Sequence, residues 1–455
     1  MRRSQIDMLH GPLLKNVISF TVPIILTSLL QLFFNAADLI VVGRFCGSVS
    51  VGAVGATGAI TNLIVNVFIG LSVGAGVTVA QYTGAQDHDG VHKTVHTAIL
   101  TALIGGLILT VIGVLFSGTF LRLMDTPENV LPLSTTYMQI YFAGAVAMMV
   151  YNFGASILRA VGDTKRPLYF LSIAGVVNVV LNVIFVTVFH MNVAGVALAT
   201  TASQTVSAAL VVMTLMRRQD ACRLILKELK IHTAQFRRIV RIGLPAGVQG
   251  SLFAISNVII QSSINSFGDI VVSGNAAAGN IEGFVWVMMN GFMQAALNFI
   301  GQNMGAGQYD RIKKIAKTCL VCVAVVGLVF GNLAFLLSRP LLGIYITDSP
   351  EAIDYGRIRM MFVAVPYLLC GVMDVATGCL RGIGKSMTAM IVSIAGVCGI
   401  RLMWIYTIFR IPSFHTLQSL YASYPITWGI TFVIEFACFI AAVKKLNAKA
   451  KTEPA

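Results

Sequence analysis

The chain has 455 residues, of which 56% are hydrophobic and only 11% are charged. Soluble domains carry about a quarter charged residues, so this composition argues against a soluble protein and predicts one that crosses a membrane repeatedly. The formal net charge of +14 would suit a nucleic-acid-binding protein, but the positive charges lie mainly on one side of the predicted spans, which argues against that class.

Apolar runs long enough to cross a bilayer as a helix, about 20 residues each, follow one another along the whole chain. Twelve spans are predicted, near residues 14–38, 52–80, 94–117, 132–155, 168–189, 193–216, 238–265, 272–301, 316–337, 356–380, 387–409 and 421–443. The ten-residue alternation typical of membrane β-barrels is not found in the sequence. Because helices satisfy their own backbone hydrogen bonds, the sequence predicts an all-α integral membrane protein with twelve transmembrane helices.

Charge along the loops predicts the orientation of these spans. Most of the 32 Lys and Arg residues lie on the side of the N-terminus. The opposite side is predicted to hold only Arg44, Arg122, Arg339, Arg357, Arg359 and Arg410. By the positive-inside rule, both termini are expected to be cytoplasmic, in a multi-pass protein of the plasma (inner) membrane. The first apolar run is too long for a cleavable signal peptide, so none is expected.

The two halves of the chain resemble each other. "ILRAVGDTKRPLYFLSIAGV" (157–176) matches "CLRGIGKSMTAMIVSIAGV" (379–397), and Pro23 and Asn35 match Pro245 and Asn257, at a nearly constant offset. Each copy holds an even number of spans, so the copies are expected to be related by a pseudo-two-fold axis along the membrane normal. The predicted organisation is an N-terminal six-helix lobe at 1–216 and a C-terminal six-helix lobe at 238–455. A basic cytoplasmic linker at 217–237 joins them and is expected to form a short amphipathic helix. We expect a monomer whose two lobes give alternating access to a central site.

Asp38 lies within the first span, where an unpaired carboxylate costs at least about 2.5–3.5 kcal/mol. Its counterpart in the second half is Ile260. A residue needed only for the fold should often recur in both copies, so this asymmetry favours a functional role. Asn178 and Asn182 are one helical turn apart in span five, where both interhelical hydrogen bonding and a functional role are open.

Acidic residues in the second half form a second candidate site. Glu282 is followed by Trp286 and Met289, and a carboxylate with an aromatic ring and flexible methionines suits an organic cation. A satisfied acid inside the bundle is the alternative. Asp374 is a further candidate for substrate binding, unless it pairs with Arg401 in a structural contact.

Several motifs together resemble the multidrug and toxic compound extrusion (MATE) family. They are Pro23, Asn35, Asp38 and Gly43 in span one, "LRAVGDTKRP" after span four, Asn178 and Asn182 in span five, and "QNMGAG" after span eight. The resemblance covers almost the whole chain and implies a secondary antiporter that exports amphipathic organic cations in exchange for H⁺ or Na⁺.

The resemblance also implies a coupling-ion site at Asp38, Asn178 and Asn182. Apart from the resemblance, Thr200 and Thr201 in span six are candidates for a further hydroxyl ligand, and Thr201 is the one included in the predicted site. In one prokaryotic branch the position that resembles Asn182 is an aspartate, and the span-seven glutamate of another branch is not found here. With one carboxylate, a proton is the expected coupling ion, although Na⁺ at Asp38, Asn178 and Asn182 stays open. Pro23 and Pro245 are expected either to produce static kinks in their helices or to act as hinges.

The expected function is therefore efflux of small organic cations across the lipid bilayer, without a cofactor, a resident metal or a nucleic-acid partner. No phosphate loop or nucleophile–base pair is recognised, so the protein is not expected to be an enzyme. A flippase for lipid-linked saccharides is the alternative within transport. A membrane receptor or scaffold is the alternative outside it.

Overall fold

The computed structural model of the protein describes residues 5–347 and 349–452, and within these ranges all regular structure is helical. Sixteen α-helices follow one another along the chain: α1 Leu13–Phe45, α2 Ser48–Gly84, α3 His88–Leu123, α4 Leu131–Ala143, α5 Ala145–Ala160, α6 Lys165–Val183, α7 Asn192–Met216, α8 Thr233–Asn265, α9 Asp269–Gly305, α10 Tyr309–Leu336, α11 Ser338–Tyr345, α12 Pro350–Val363, α13 Tyr367–Gly382, α14 Ser386–Ser393, α15 Ile400–Tyr406 and α16 Leu417–Thr452. A π-helical turn extends α6 over Ile184–Val188, and another joins α14 to α15 over Ile394–Gly399.

The described helices confirm a multi-pass membrane protein with the predicted number of spans. Ten helices are long and apolar enough to cross a membrane, and the spans number twelve when each of two bent helix pairs counts as one. The pairs are α4–α5, bent by 48°, and α12–α13, bent by 49°. The predicted spans four and ten are thus each two helices rather than one.

The two bends lie at equivalent positions of the repeat, at Gly144 and at Pro366. A Cβ atom on Gly144 would lie 2.7 Å from Cγ2 of Thr201, so glycine allows α7 to approach the break closely. Pro366 has no backbone N–H and restricts the residue before it, so α12 ends before this position. The same bend is produced by different chemistry in each half.

The chain forms two compact units that differ from the predicted lobes. Unit one contains residues 5–7 and Val22–Ser251, and unit two contains Met8–Thr21 and residues 252–452. The chain therefore passes from one unit to the other inside α1 and inside α8, and not at the loop between the repeats.

Close packing explains why the beginning of α8 belongs to unit one. A Cβ on Gly70 of α2 would lie 2.2 Å from the backbone nitrogen of Gly247, and one on Gly74 would lie 2.3 Å from the carbonyl oxygen of Ile239. In unit two, Phe20 of α1 packs edge-on against Phe299 of α9, with ring centroids 5.4 Å apart. The lobe boundaries predicted from the repeat miss these contacts because sequence similarity does not report which helix a segment packs on.

The segment between α7 and α8 does not form the expected amphipathic helix. Its one helical element is a single 3-10 turn at Leu226–Glu228. The buried side chains of Cys222 and Leu224 hold the segment on unit one, and His96 of α3 accepts a hydrogen bond from the Ile225 N–H at 3.0 Å. Tertiary contacts, rather than a helical apolar face, therefore order this linker.

Candidate transport site

The site in unit one joins three helices through Asp38 of α1, Asn178 and Asn182 of α6, and Thr200 of α7. The side-chain amide of Asn182 donates a hydrogen bond to the Asp38 carboxylate and contacts Oδ1 of Asn178 at 3.3 Å. Nδ2 of Asn178 donates to the Thr200 hydroxyl at 3.4 Å. That hydroxyl lies 3.0 Å from the Val196 carbonyl and 3.5 Å from Oδ2 of Asp38, which compete for its single hydrogen. The structure thus brings together the predicted Asp38, Asn178 and Asn182.

A cavity of about 270 Å³ opens beside this network. Its walls are amides, hydroxyl groups and apolar side chains, from Gln31, Phe34, Asn35, Asp38, Leu171, Ala174, Gly175, Asn178, Thr200, Ser203, Gln204 and Ser207. Of these described lining residues, only Asp38 carries a charge. It is half-buried, so its carboxylate reaches both the cavity and its helix neighbours.

Asn182 has a second feature that bears on protons. Its Oδ1 atom is buried, and no hydrogen-bond partner for it is found in the described part of the chain. Leaving such an acceptor unsatisfied costs about 1–3 kcal/mol. The amide therefore donates to an ionised Asp38 while holding an unused acceptor available to a protonated one.

Thr201 does not contribute to this network, contrary to its prediction as a ligand. Its hydroxyl donates to the Ile140 carbonyl of α4 at 3.1 Å, and its methyl group packs beside Gly144. Adjacent residues of a helix point in directions about 100° apart, so only one of the two threonines in α7 faces Asp38. That residue is Thr200.

The predicted role of Glu282 in cation binding requires a free carboxylate. In the structure this carboxylate is paired. Arg359 of α12 forms an ion pair with it, with Nη2 2.7 Å from Oε2 and Nε 3.1 Å from Oε1. Nη1 of Arg359 also donates to Oδ1 of Asn275 at 2.6 Å. Arg359, predicted on the outer side near the start of span ten, lies within α12 and is mostly buried.

The other predicted substrate residues of unit two lie in different environments. Met289 is fully buried, and its sulfur packs against two glycines. A Cβ atom added to Gly327 of α10 would lie 3.1 Å from this sulfur, and one added to Gly371 of α13 would lie 2.8 Å from it. Met289 fills the packing between these helices. Trp286 is 43% exposed and its side chain hydrogen-bonds to Asp374.

The sequence leaves open whether Asp374 binds substrate or pairs with Arg401. In the structure the two side chains do not pair. Arg401 donates to the Thr427 hydroxyl at 2.9 Å, and its guanidinium lies 4.0 Å from the ring centroid of Tyr424. Oδ2 of Asp374 is buried without a hydrogen-bond partner among the described residues. Another buried acid, Glu435, accepts hydrogen bonds from Ser393 at 2.5 Å and Thr377 at 2.9 Å, as a structural acid would.

Unit two contains a cavity that sequence reasoning missed, of about 230 Å³. It is lined by Asn257, Ile260, Gln261, Ile264, Glu282, Arg359, Val363, Tyr367, Tyr424 and Trp428. Ile260 is the repeat counterpart of Asp38, so the second half places an apolar residue where the first has its acid. The sequence contains one indication of this cavity. Arg357 and Arg359 are two residues apart at the start of an apolar run, so on a helix they point in different directions and Arg359 can face the interior.

Pro23 and Pro245 both lie inside long helices, α1 and α8. Proline cannot donate to the carbonyl four residues earlier, so α1 lacks the bond to Ser19 that a regular helix would have. Pro23 immediately follows the point where α1 passes from unit two to unit one. The Thr27 hydroxyl donates to the Pro23 carbonyl at 2.7 Å.

Comparison with known proteins places these features in a family. The MatE family model matches twice, at residues 23–184 and 245–407, which also confirms the internal repeat. The probable multidrug resistance protein YpnP of Bacillus subtilis (strain 168) is 29% identical over 388 residues, which cover 85% of this chain and 86% of that protein. The multidrug export protein MepA of Staphylococcus aureus (strain NCTC 8325 / PS 47) is 20% identical, over 95% of this chain and 93% of its own.

The fold also has a solved counterpart. A multidrug resistance MATE family transporter of the MOP superfamily, in an outward-facing conformation, superposes with a TM-score of 0.91 at 20% identity, over 98% of this chain and 99% of that chain. The two-lobe, twelve-helix fold predicted from the sequence is thereby confirmed. Since the family model matches more than half of the chain, the protein belongs to the MATE family of multidrug efflux transporters.

Proposed function

We propose that this protein exports amphipathic organic compounds in exchange for protons, with Asp38 as the coupling carboxylate. The observation that carries the proposal is that Asp38 is the one charged side chain among the described residues lining the cavity of unit one, and that neutral amide and hydroxyl groups surround it. A carboxylate without a basic partner can gain and lose a proton without breaking an ion pair.

Protonation of Asp38 would rearrange its contacts with α6. The ionised carboxylate accepts a hydrogen bond from Nδ2 of Asn182, whereas a protonated one also carries an O–H that requires an acceptor. Rotation of the Asn182 amide would present its unused Oδ1 as the acceptor. One proton thus changes the bond between α1 and α6, and this difference biases the conformational equilibrium of the transporter.

The same geometry favours H⁺ over Na⁺ as the coupling ion. Hard cations require several oxygen ligands. Here the amide nitrogen of Asn182, and not its oxygen, faces the carboxylate. A sodium ion would need that amide to turn and would find only one negative charge, because Asn182 replaces a second carboxylate.

Organic cations are the substrates that fit this cavity best. Its charge is negative when Asp38 is ionised, and its walls include Phe34, Leu171 and Ala174 for an apolar body. A bound cation and a proton then compete for Asp38, which links export to proton entry. We place the transporter in the plasma membrane with both termini cytoplasmic, from the distribution of positive charges.

Transport into or out of proteoliposomes tests the proposal directly. Purified protein should drive counterflow of a fluorescent organic cation under a pH gradient without Na⁺, and Asp38→Asn should abolish this activity. Asp125→Asn is the matched control, because it removes the same charge at an exposed position with a φ of 54°, which asparagine tolerates. Transport driven by a Na⁺ gradient alone, or wild-type rates from Asp38→Asn, would contradict the proposal.

The same vesicles separate the flippase alternative. They contain no lipid-linked saccharide, so a flippase specific for such lipids would show no dye transport in them. A receptor or scaffold would likewise show none.

A further inference from the structure

The described lining of the cavity in unit two includes a positively charged side chain, unlike that of the cavity in unit one. Its charged lining residues are Glu282 and Arg359, which neutralise each other. Within this pair the side chain of Arg359 is 13% exposed and that of Glu282 only 4%. Arg359 is therefore the more accessible member of the pair, and the one that we expect a ligand in the cavity to contact.

Arg359 retains hydrogen-bonding capacity after these contacts. Its described bonds engage Nε–H, one N–H of Nη1 and one N–H of Nη2. A guanidinium has five N–H groups in a planar fork. The terminal nitrogens thus each keep one donor, the arrangement that recognises a carboxylate or another oxyanion.

A second buried arginine raises the positive charge behind the cavity wall. Arg401 is only 3% exposed, and its Nε has no hydrogen-bond partner among the described residues. Its described contacts are a hydroxyl and the ring of Tyr424, and no carboxylate in the described part of the chain forms an ion pair with it. Because Glu282 and Arg359 form an ion pair with each other, Arg401 adds a positive charge beside Tyr424 that no described carboxylate pairs with.

Aromatic rings supply the rest of the cavity surface. Tyr367 and Tyr424 both contact Trp428, with ring centroids 5.6 and 5.7 Å apart respectively. Tyr424 also lies between the two arginines, 5.9 Å from the guanidinium carbon of Arg359 and 4.0 Å from that of Arg401. Flat rings beside a positive group match an aromatic compound that carries an anionic substituent.

We propose that the cavity of unit two binds the anionic group of aromatic organic anions or zwitterions, with Arg359 as the direct ligand and Arg401 as the source of the favourable field. The protein would then hold two binding sites of opposite sign, one in each unit. This inference rests on the proposed export of organic compounds for its role in the cell, but its binding chemistry is independent of Asp38 and of the coupling ion.

Equilibrium binding of a matched set of small aromatic ligands tests it. The set is 2-naphthoate, the neutral 2-naphthamide and the cationic 2-naphthylmethylammonium, titrated into the full chain in nanodiscs, with empty nanodiscs subtracted. Wild-type protein should bind naphthoate at least about tenfold more tightly than naphthamide, as expected for a charge-assisted bidentate contact. Equal affinities for these two ligands would overturn the inference, and this measurement requires no variant to fold.

Variants then assign the effect to the two arginines. Arg401→Gln should weaken naphthoate binding about tenfold, while Glu282→Gln should strengthen it, because removal of the acid frees the donors of Arg359. Arg357→Gln, two residues earlier in α12 and outside the cavity lining, should have no effect. Naphthoate binding that Arg401→Gln does not weaken, or that Glu282→Gln does not strengthen, would overturn the assignment.

Binding is measured without an ion gradient, so its outcome is separate from that of transport. If dye export works but naphthoate does not bind selectively, this inference alone fails. If naphthoate binds but no gradient drives export, the proposed antiport fails and the anion site stands.

Discussion

Asn182 donates its side-chain amide to the carboxylate of Asp38, while its own Oδ1 is buried with no partner among the residues described. This relationship joins α1 to α6 and depends on the charge of Asp38. An ionised carboxylate can only accept hydrogen bonds, whereas a protonated one also has an O–H for which Oδ1 of Asn182 is an available acceptor. An amide can supply either a donor or an acceptor, whereas an aspartate at position 182 would supply a donor only when protonated.

Asn182→Asp should therefore change the ion response of the transporter. A second carboxylate beside Asp38 adds a negative charge and oxygen ligands, which a Na⁺ ion requires. We expect Na⁺ to stimulate or inhibit dye counterflow in the variant by roughly tenfold, equivalent to about 1.4 kcal/mol, where the wild type responds mainly to pH. Asn178→Asp tests whether the position matters, and a variant as indifferent to Na⁺ as the wild type would contradict the proposed geometry.

Thr200 and Thr201 offer a matched pair of substitutions at adjacent positions. Thr200→Val removes the hydroxyl near Asp38 and should weaken proton-driven transport several-fold, about 1 kcal/mol for one hydrogen bond. Thr201→Val keeps the packing beside Gly144 but loses the bond to Ile140, so it should lower thermal stability by a similar amount without altering the pH dependence. Transport assays and melting curves of the two proteins give the comparison. If Thr201→Val shifts the pH profile and Thr200→Val does not, the observed geometry does not describe the working site.

The ion pair between Arg359 and Glu282 predicts a strongly non-additive pair of substitutions. Glu282→Gln leaves Arg359 without its counter-ion, and Arg359→Gln leaves a buried carboxylate, so each should destabilise the protein, the latter by about 3–5 kcal/mol. The double variant Glu282→Gln/Arg359→Gln removes both charges and should recover much of that loss. Thermal unfolding of the four proteins in one detergent measures the coupling. Additive losses would show that the two side chains act independently.

Pro23→Ala should stiffen α1 where it crosses between the two units. Alanine restores an N–H for the Ser19 carbonyl and favours the helix by up to about 3 kcal/mol. We expect slower turnover under a pH gradient together with unchanged or higher thermal stability. Pro245→Ala, in the equivalent position of α8, is the control for a general effect of removing a helix proline. Wild-type turnover from Pro23→Ala would identify this proline as a static kink.

The spans and the repeat could be read directly from the sequence, and the resemblance to the MATE family indicated the cluster of Asp38, Asn178 and Asn182. Hydropathy and positive charge are local properties, and twelve apolar runs have few other solutions in a bilayer. Asp38 was identifiable because a charge inside an apolar run is costly and because its repeat counterpart is Ile260. The one-turn spacing of Asn178 and Asn182 placed both on one face of α6 before any contact was known.

Only the tertiary structure decided which charged side chains remain available to bind a ligand. Glu282 and Arg359 are 77 residues apart in sequence, and no periodicity predicts that their side chains meet. Their contact converts an expected cation ligand into one half of a neutral pair, in which the arginine is the more accessible member. Likewise, only the rotation of α7 about its axis selects Thr200 over Thr201. Side-chain pairing between distant helices depends on interhelical distance and rotation, and these are set by close packing such as that of Gly70 with Gly247, which a hydropathy pattern does not contain.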